Sequence, residues 1–382
     1  MKHITKLSLV SLLITVTQTI HAQEAIVPKQ WKTECVGYFQ ISLPGEIEVA
    51  LMRYGTFLPN HGYWFSKNID QRIFYASTNH DGKIGVYPED KKEAYKKGWL
   101  AEVDRIEKYR TKNKETVSTN ILPYSFPDEN SFLVRYGSSK AMEIKFSSYH
   151  SDRLYTYETN DLGKLDGSTA TTKYRNFSDN FRPRALYEIP NENGVCIPYG
   201  FIKSDVPQDR VISSAMRLKN HPDVTVLLMD KSASWGGFVK KESPTEVEEI
   251  RYLWEQGFTW RTEKIQALGF PRFPLVNIAG YKGRSSFVEI TRPNPAPFVQ
   301  ENVCTRSSEF AEEQALAKCP PLPVDYGYVA YVKGDPTAKE DAPNLMLYVL
   351  QESKYGPDGK PTISRDELRK MADAIAASIK RH

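Results

Sequence analysis

The chain has 382 residues, 40% of them hydrophobic and 12% aromatic, which is too much apolar and aromatic material for a disordered polypeptide. Its formal charge of +4 falls to +2 once Lys2 and Lys6 are removed, and the remaining basic residues are interleaved with acidic ones. No basic stripe is left to draw a nucleic acid, so that class of partner is excluded.

The N-terminal segment has the three zones of an export signal. Lys2 and Lys6 give a positive start, Leu7 to Val16 form an apolar run, and a short polar stretch ends at Ala22. The expectation is a signal peptide over 1–22 with cleavage after Ala22. The apolar run is too short to cross about 30 Å of hydrocarbon, and no later stretch is longer, so no stable membrane insertion is expected. A lipid anchor would need a cysteine directly after that run, whereas the first one is Cys35, beyond the polar stretch Gln23 to Lys32. These features place the mature chain in the periplasm of a Gram-negative bacterium.

A mature chain of about 360 residues exceeds the usual size of one core, which predicts two domains. The first, over 23–188, opens on the cysteine-bearing apolar strand Cys35 to Pro44. A helix then starts near Pro88, with Tyr95, Trp99, Val103 and Ile106 on one stripe. Strands follow at Phe132 to Tyr136, Ala141 to Ser148 and Arg153 to Thr159, and a helix over Thr172 to Phe181 closes this half. Proline and asparagine mark 189–193 as a linker.

The second domain, over 194–382, opens on a matching strand, Gly194 to Ile202. Its helix starts at Ser243-Pro244-Thr245-Glu246, read as a capping box with proline first, and buries Val247, Ile250 and Trp254. Strands are predicted at Leu275 to Tyr281, Ser286 to Thr291, Gly327 to Val332 and Leu345 to Glu352. The segment Arg292 to Pro323 reads as a surface excursion. A last capping box, Ser364-Arg365-Asp366-Glu367, opens a helix with Leu368, Met371, Ile375 and Ile379 as its apolar stripe. The fold class is therefore α+β, with each domain an antiparallel sheet packed against a long amphipathic helix. The similar order of elements in the two halves suggests an internal duplication.

The four cysteines, Cys35, Cys196, Cys304 and Cys319, all follow the export signal, where disulfides persist. Of the three connectivities, Cys304 with Cys319 is favoured, because Glu309 to Lys318 looks like a short helix against which the preceding residues fold back. That closure is worth about 3 kcal/mol in the chain-entropy model. Cys35 and Cys196 then pair with each other or stay as buried thiols.

Reactive constellations are sparse. Neither Gly137-Ser138-Ser139 nor Ser232-Ala233-Ser234-Trp235-Gly236-Gly237 fits a nucleophile elbow, and both read as turns. His61, His80, His150, His221 and His382 stand alone in the sequence, without the spacing of a zinc site. There is no phosphate-binding glycine loop, so no metal or cofactor is expected. Glu248 and Glu249 fall at a helix start, where they suit the dipole. Cys196 in an apolar strand lacks the cation that would activate a thiol. Tyr149, Tyr155 and Tyr157 are expected to pack their own sheet, with an interface role as the competing reading.

Together, Cys35-Val36-Gly37 running to Leu43-Pro44 and Gly194 to Ile202, with its Gly-x-Cys-Ile and Gly-Phe-Ile words, resemble the immunity proteins that protect bacteria from phospholipase effectors of the type VI secretion system. Ile278-Ala279-Gly280-Tyr281-Lys282-Gly283 is similar to that family's alanine-glycine turn, although Arg284-Ser285 follow where an acidic residue is frequent. The resemblance implies a two-domain binding protein without catalysis. It would hold a cognate phospholipase (lipase) effector in the periplasm, as a monomer or in a 1:1 complex, and protect the producing cell and its kin in interbacterial competition. The alternatives are a periplasmic enzyme with a site assembled from scattered residues, for instance around His150, or an envelope assembly protein.

Overall fold

The computed structural model describes residues 28–50, 78–80, 82–88, 122–125, 131–137, 141–151, 153–162, 168–204, 210–235, 245–257, 264–291, 324–338 and 341–382, with isolated helical positions between 97 and 108. The signal segment 1–22, the excursion Arg292 to Pro323, and with it Cys304 and Cys319, lie outside the described residues. So do Tyr95, Trp99 and Ile106 of the first helical stripe.

Both cysteine-bearing segments, each expected as one strand, are hairpins. The first is β1 (Lys32–Val36) and β2 (Phe39–Leu43), turned at Gly37, and it leads into β3 (Ile47–Ala50). Strands β4 (Thr78–His80), β5 (Lys83–Pro88), β6 (Leu122–Ser125), β7 (Ser131–Gly137), β8 (Ala141–His150) and β9 (Arg153–Leu162) follow. Helix α1 spans Ser168–Asn180, starting earlier than its sequence suggested, and ends directly in β10 (Phe181–Pro183). The second hairpin is β11 (Gly194–Ile197) and β12 (Gly200–Lys203).

The long strands β13 (Arg210–Leu218) and β14 (Val224–Lys231) precede helix α2 (Glu246–Tyr252), which runs on through a π turn to Gly257. Its N-cap is Thr245, whose hydroxyl accepts from the Glu248 amide, so the helix starts two residues later than the predicted box at Ser243 and is short. Strands β15 (Lys264–Leu268), β16 (Leu275–Ile278), β17 (Tyr281–Thr291), β18 (Asp325–Val332) and β19 (Asn344–Gln351) come next. The predicted strand through Tyr281 breaks at Ala279 and Gly280, both at positive φ, which is the two-residue turn that suits a right-twisted hairpin. Helix α3 (Arg365–Ser378) opens on the capping box at Ser364 as expected, and β20 (Lys380–Arg381) follows it.

One antiparallel sheet of 14 strands runs β15-β17-β18-β19-β14-β13-β4-β5-β9-β8-β7-β6, with β16 also on β17 and β3 also on β13. In this sheet the strands of the two sequence halves meet on β13, which pairs β3 with Ala215 opposite Ala50 through Leu218 opposite Ile47, and β4 with Arg210 opposite His80 and Val211 opposite Asn79. The hairpin β1-β2 pairs through β2 with β20, near the other end of the sequence.

Alternation along the central strands divides their side chains between two cores, since successive residues point to opposite faces. Ile212, Met216, Val226, Leu228, Leu347 and Val349 enter one core together with Phe39, Ile41 and the α3 residues Leu368, Ala372 and Ile375. Their neighbours Ala215, Leu227, Met229, Met346 and Tyr348 face the other, which Ile250, Leu253 and Trp254 of α2 and its π turn cover. Covered on both faces, β14 and β19 read as nearly continuous apolar runs. Ile250 and Trp254 are buried as expected, whereas Val247 is half-buried. On the first-half strands, Tyr157 stacks on Phe177 of α1 at 4.5 Å between ring centres, and Phe177 stacks on Phe181 at 5.1 Å. Tyr149, Tyr155 and Tyr157 are all buried, so they pack their own sheet as the strand reading held.

Candidate functional site

Cysteine, charged and histidine side chains converge where the two hairpins meet β13 and β14. Cys35 and Cys196 form a disulfide with Cα atoms 5.6 Å apart, which decides the pairing left open for those two residues. Beside it the hairpins share a backbone bridge. The Gly37 amide donates to the Cys196 carbonyl at 2.8 Å, and the Cys196 amide donates to the Gly37 carbonyl at 2.9 Å. Ile189 packs on this cluster with Phe201, while Arg182 pairs with Glu188 at 2.7 Å and Glu192 at 3.6 Å. The 189–193 stretch is thereby fastened to the hairpins at its start.

Two buried ion pairs flank the disulfide. Arg184 donates to Glu34, and its remaining N–H groups reach the carbonyls of Ala185, Glu188 and Gly200. Glu34 also accepts from the amides of Cys35 at 3.0 Å and Tyr187 at 2.7 Å, so its charge is met on several sides. On the other flank Arg210 makes a two-pronged contact with Asp230, Nε to Oδ2 at 2.7 Å and Nη2 to Oδ1 at 2.8 Å. Arg210 Nη2 also reaches Asp341 at 2.8 Å, and Arg381 joins Asp341 at 3.2 Å. The Tyr38 ring lies against both guanidinium groups, 4.4 Å from Arg210 and 5.2 Å from Arg381.

Charge balance follows from these contacts. Burial works to lower the Arg210 pKa, but Asp230 and Asp341 outweigh it and hold the guanidinium charged. Burial raises the Tyr38 hydroxyl pKa, with the Arg210 charge opposing it. At the inner end of β14, burial brings Lys231 down to about 8, with the Glu249 charge working against it.

His382 lies between the hairpins. Its Nε2 is 3.2 Å from the Gly37 carbonyl and 4.0 Å from the Cys196 sulfur, and burial lowers its pKa. Its ring nitrogen and the two sulfurs lie within 4.8 Å of one another, yet the sulfurs are bonded to each other and present no thiolate to a metal. His150 contacts the Ser148 hydroxyl at 2.6 Å, and Ser148 contacts the Ser131 hydroxyl at 3.0 Å. His221 contacts the Thr362 hydroxyl at 3.0 Å.

The sequence singled out the cysteines and Gly37 but missed Glu34, Arg184, Arg210, Asp230 and Asp341. A signal existed for Asp230, an acid that directly follows the apolar run Val226 to Met229 on the same strand, where an unpaired buried charge would be costly.

The same architecture occurs in solved structures. It aligns with the immunity protein TplEi of the type VI secretion system from Pseudomonas aeruginosa complexed with an "L" peptide, at 18% identity, covering 92% of this chain and 98% of that one, with a TM-score of 0.54. It aligns with the Tle4-Tli4 complex structure at 19% identity, covering 92% and 97%, also with a TM-score of 0.54. The apo form of TplEi gives 0.53. The class is thus the fold seen in type VI secretion immunity proteins. Within it, residues 188–248 match the Tle cognate immunity protein 4 C-terminal domain, a stretch that holds Cys196, Arg210 and Asp230. No curated protein sequence matches the chain. No helix among the described residues is long and apolar enough to cross a membrane.

Proposed function

We propose that this chain is an immunity protein that binds and inhibits a phospholipase effector of the type VI secretion system, as a stoichiometric inhibitor without turnover. The observation that carries this is the match of residues 188–248 to the Tle cognate immunity protein 4 C-terminal domain, on the elements that build the cross-linked junction. A binding protein spends least free energy on ordering when its surface is already rigid. The disulfide, the buried pairs Arg184–Glu34 and Arg210–Asp230, and the sheet continuous from β15 to β6 supply that rigidity. Bound effector would be kept from lipid by steric cover.

The compartment belongs to the same proposal. The segment 1–22 would export the chain to the periplasm, where an injected lipase acts. A second disulfide, Cys304 with Cys319, is supported because Cys35 and Cys196 occupy each other and leave those two as the remaining partners within the chain. The paired cysteine hairpins support a shared plan for domains 23–188 and 194–382.

The direct test mixes purified mature protein with the lipase encoded beside it and measures phospholipid hydrolysis. Inhibition saturating at one molecule per lipase is the expected result. Undiminished hydrolysis at excess protein would sink the proposal.

A further inference from the structure

Strands β15 and β16 lie end to end along the same side of β17. Leu268 pairs with Phe287 and Leu275 with Arg284, so the six residues Gly269 to Pro274 stand opposite only Ser285 and Ser286. The surplus chain is extruded from the sheet edge as a loop.

Its base is fastened. The Ser285 amide donates to the Pro274 carbonyl at 3.0 Å, and Arg284 donates to the Phe273 carbonyl at 3.1 Å. The Phe273 ring packs on the α2 core with the Arg251 guanidinium 5.4 Å from its centre. At the other end Gly269 has φ +82, and a Cβ there would lie 3.2 Å from Arg369, so glycine makes the outward turn. Pro271 and Pro274 restrict the backbone further.

The tip of this fixed loop is Phe270, whose side chain is 99% exposed, and Leu275 at the loop's exit is 71% exposed. A phenylalanine held fully in water on a braced loop does nothing for this chain's own core. Rigid, exposed aromatics with an arginine neighbour are the residue types that dominate binding energy at protein interfaces. Arg272 is exposed beside it and makes no ion pair among the described residues, and Arg369 flanks the loop. The patch is therefore an apolar point with a positive rim.

We propose that Phe270 is the aromatic anchor with which this chain enters an apolar cleft of its lipase partner, while Arg272 meets an acidic rim of that cleft. The inference rests on the immunity reading above. It names the partner by chemistry: an enzyme that accepts acyl chains must present an apolar groove, and apolar ring with basic rim is complementary to apolar groove with acidic rim.

The test measures the affinity of the full mature chain for the purified adjacent lipase by calorimetry, comparing wild type with Phe270→Asp, Phe270→Ala and Arg272→Glu. Loss of a central aromatic is expected to weaken binding at least about 30-fold for both Phe270 variants. Arg272→Glu should slow association and reduce its salt dependence. Melting temperatures should stay at the wild-type value, because the side chain touches no core. If a variant were to melt early, a photo-cross-linking amino acid at position 270 replaces it, and capture of the lipase supports the anchor. Wild-type affinity in the Phe270 variants, with no cross-link, would overturn this inference and leave the immunity reading standing. Failure of the wild-type chain to bind the lipase would overturn both. Self-association that Phe270→Asp abolishes, at unchanged lipase affinity, would assign the loop to a second copy and also overturn it.

Discussion

Gly37 and Asp230 fit together with no room for a side chain between them: a Cβ on Gly37 would lie 2.3 Å from Asp230 Oδ2. That oxygen accepts from the Tyr38 amide at 3.0 Å and from Arg210 Nε at 2.7 Å. The turn of the first hairpin and the buried carboxylate of β14 thus require each other. Gly37 also holds φ +61, a conformation costly for residues with a Cβ. Gly37→Ala is expected to lose at least about 2 kcal/mol of stability from backbone strain and the displaced carboxylate. Urea unfolding checks this, and a loss under about 0.5 kcal/mol would mean that the carboxylate moves aside freely.

Removing one partner of a buried pair leaves the other charge without compensation. Glu34→Ala should therefore cost about 3–5 kcal/mol, because Arg184 keeps only carbonyl acceptors and the Tyr187 amide loses its own. The double variant Glu34→Met with Arg184→Met should recover part of that loss. A double-variant loss equal to the sum of both singles would show that the two residues do not act as a pair.

The Cys35–Cys196 bond closes a separation of 161 residues, for which the chain-entropy model gives about 5 kcal/mol as an upper figure. Replacing both cysteines with alanine should lower the unfolding midpoint and raise the denaturant slope, as a less constrained unfolded chain exposes more surface. Peptide mapping of the unreduced protein is expected to recover Cys35 linked to Cys196 and Cys304 linked to Cys319. A peptide joining either of the first pair to either of the second would contradict the structure.

Lys231 offers a pH signature. Burial puts its folded pKa at about 8, against an ordinary value of 10.5. Between those values the unfolded chain binds the proton more tightly, so this residue makes stability rise as pH increases from about 8 to about 10.5. Below pH 8 the cost of the buried charge is carried in full. The difference in unfolding free energy between wild type and Lys231→Met should therefore shift in favour of the wild type across that range. A difference that stays constant with pH would show that the lysine keeps an ordinary pKa when folded.

Deleting Met1 to Ala22 separates location from binding. The shortened chain is expected to inhibit the lipase in solution as well as the mature protein does, and to give no protection in cells. Protection by the cytoplasmic form would place the encounter elsewhere.

Local chemistry carried much of the architecture. The capping box at Ser364 and the stripe Leu368, Ile375 and Ile379 announced α3, because caps and helical periodicity act within a few residues. β7, β8 and β9 were legible from alternation and β-branched or aromatic content. The hairpin turns were harder to see. Gly37 and the pair Ala279-Gly280 sit inside apolar runs, where hydrophobic pattern alone continues the strand; at Ala279-Gly280 it was the family resemblance, not the pattern, that pointed to a turn. The cap at α2 moved from Ser243 to Thr245 because either hydroxyl can satisfy the first turn, and the helix ended early in a π turn.

The amino-acid sequence by itself determined the α+β class, the periodic faces of the strands and helices, the glycine and cysteine words that mark the two hairpins, and the likeness to secretion-system immunity proteins. Only the tertiary structure decided which cysteine met Cys35, which acid met each buried arginine, that β13 joins strands from both halves, and that Phe270 stands in water while Phe273 is held at the loop base. Caps, turns and periodicity are set by neighbours along the chain. Ion pairs such as Arg184 with Glu34, 150 positions apart, are set by where the strands finally pack, and no local pattern records that distance.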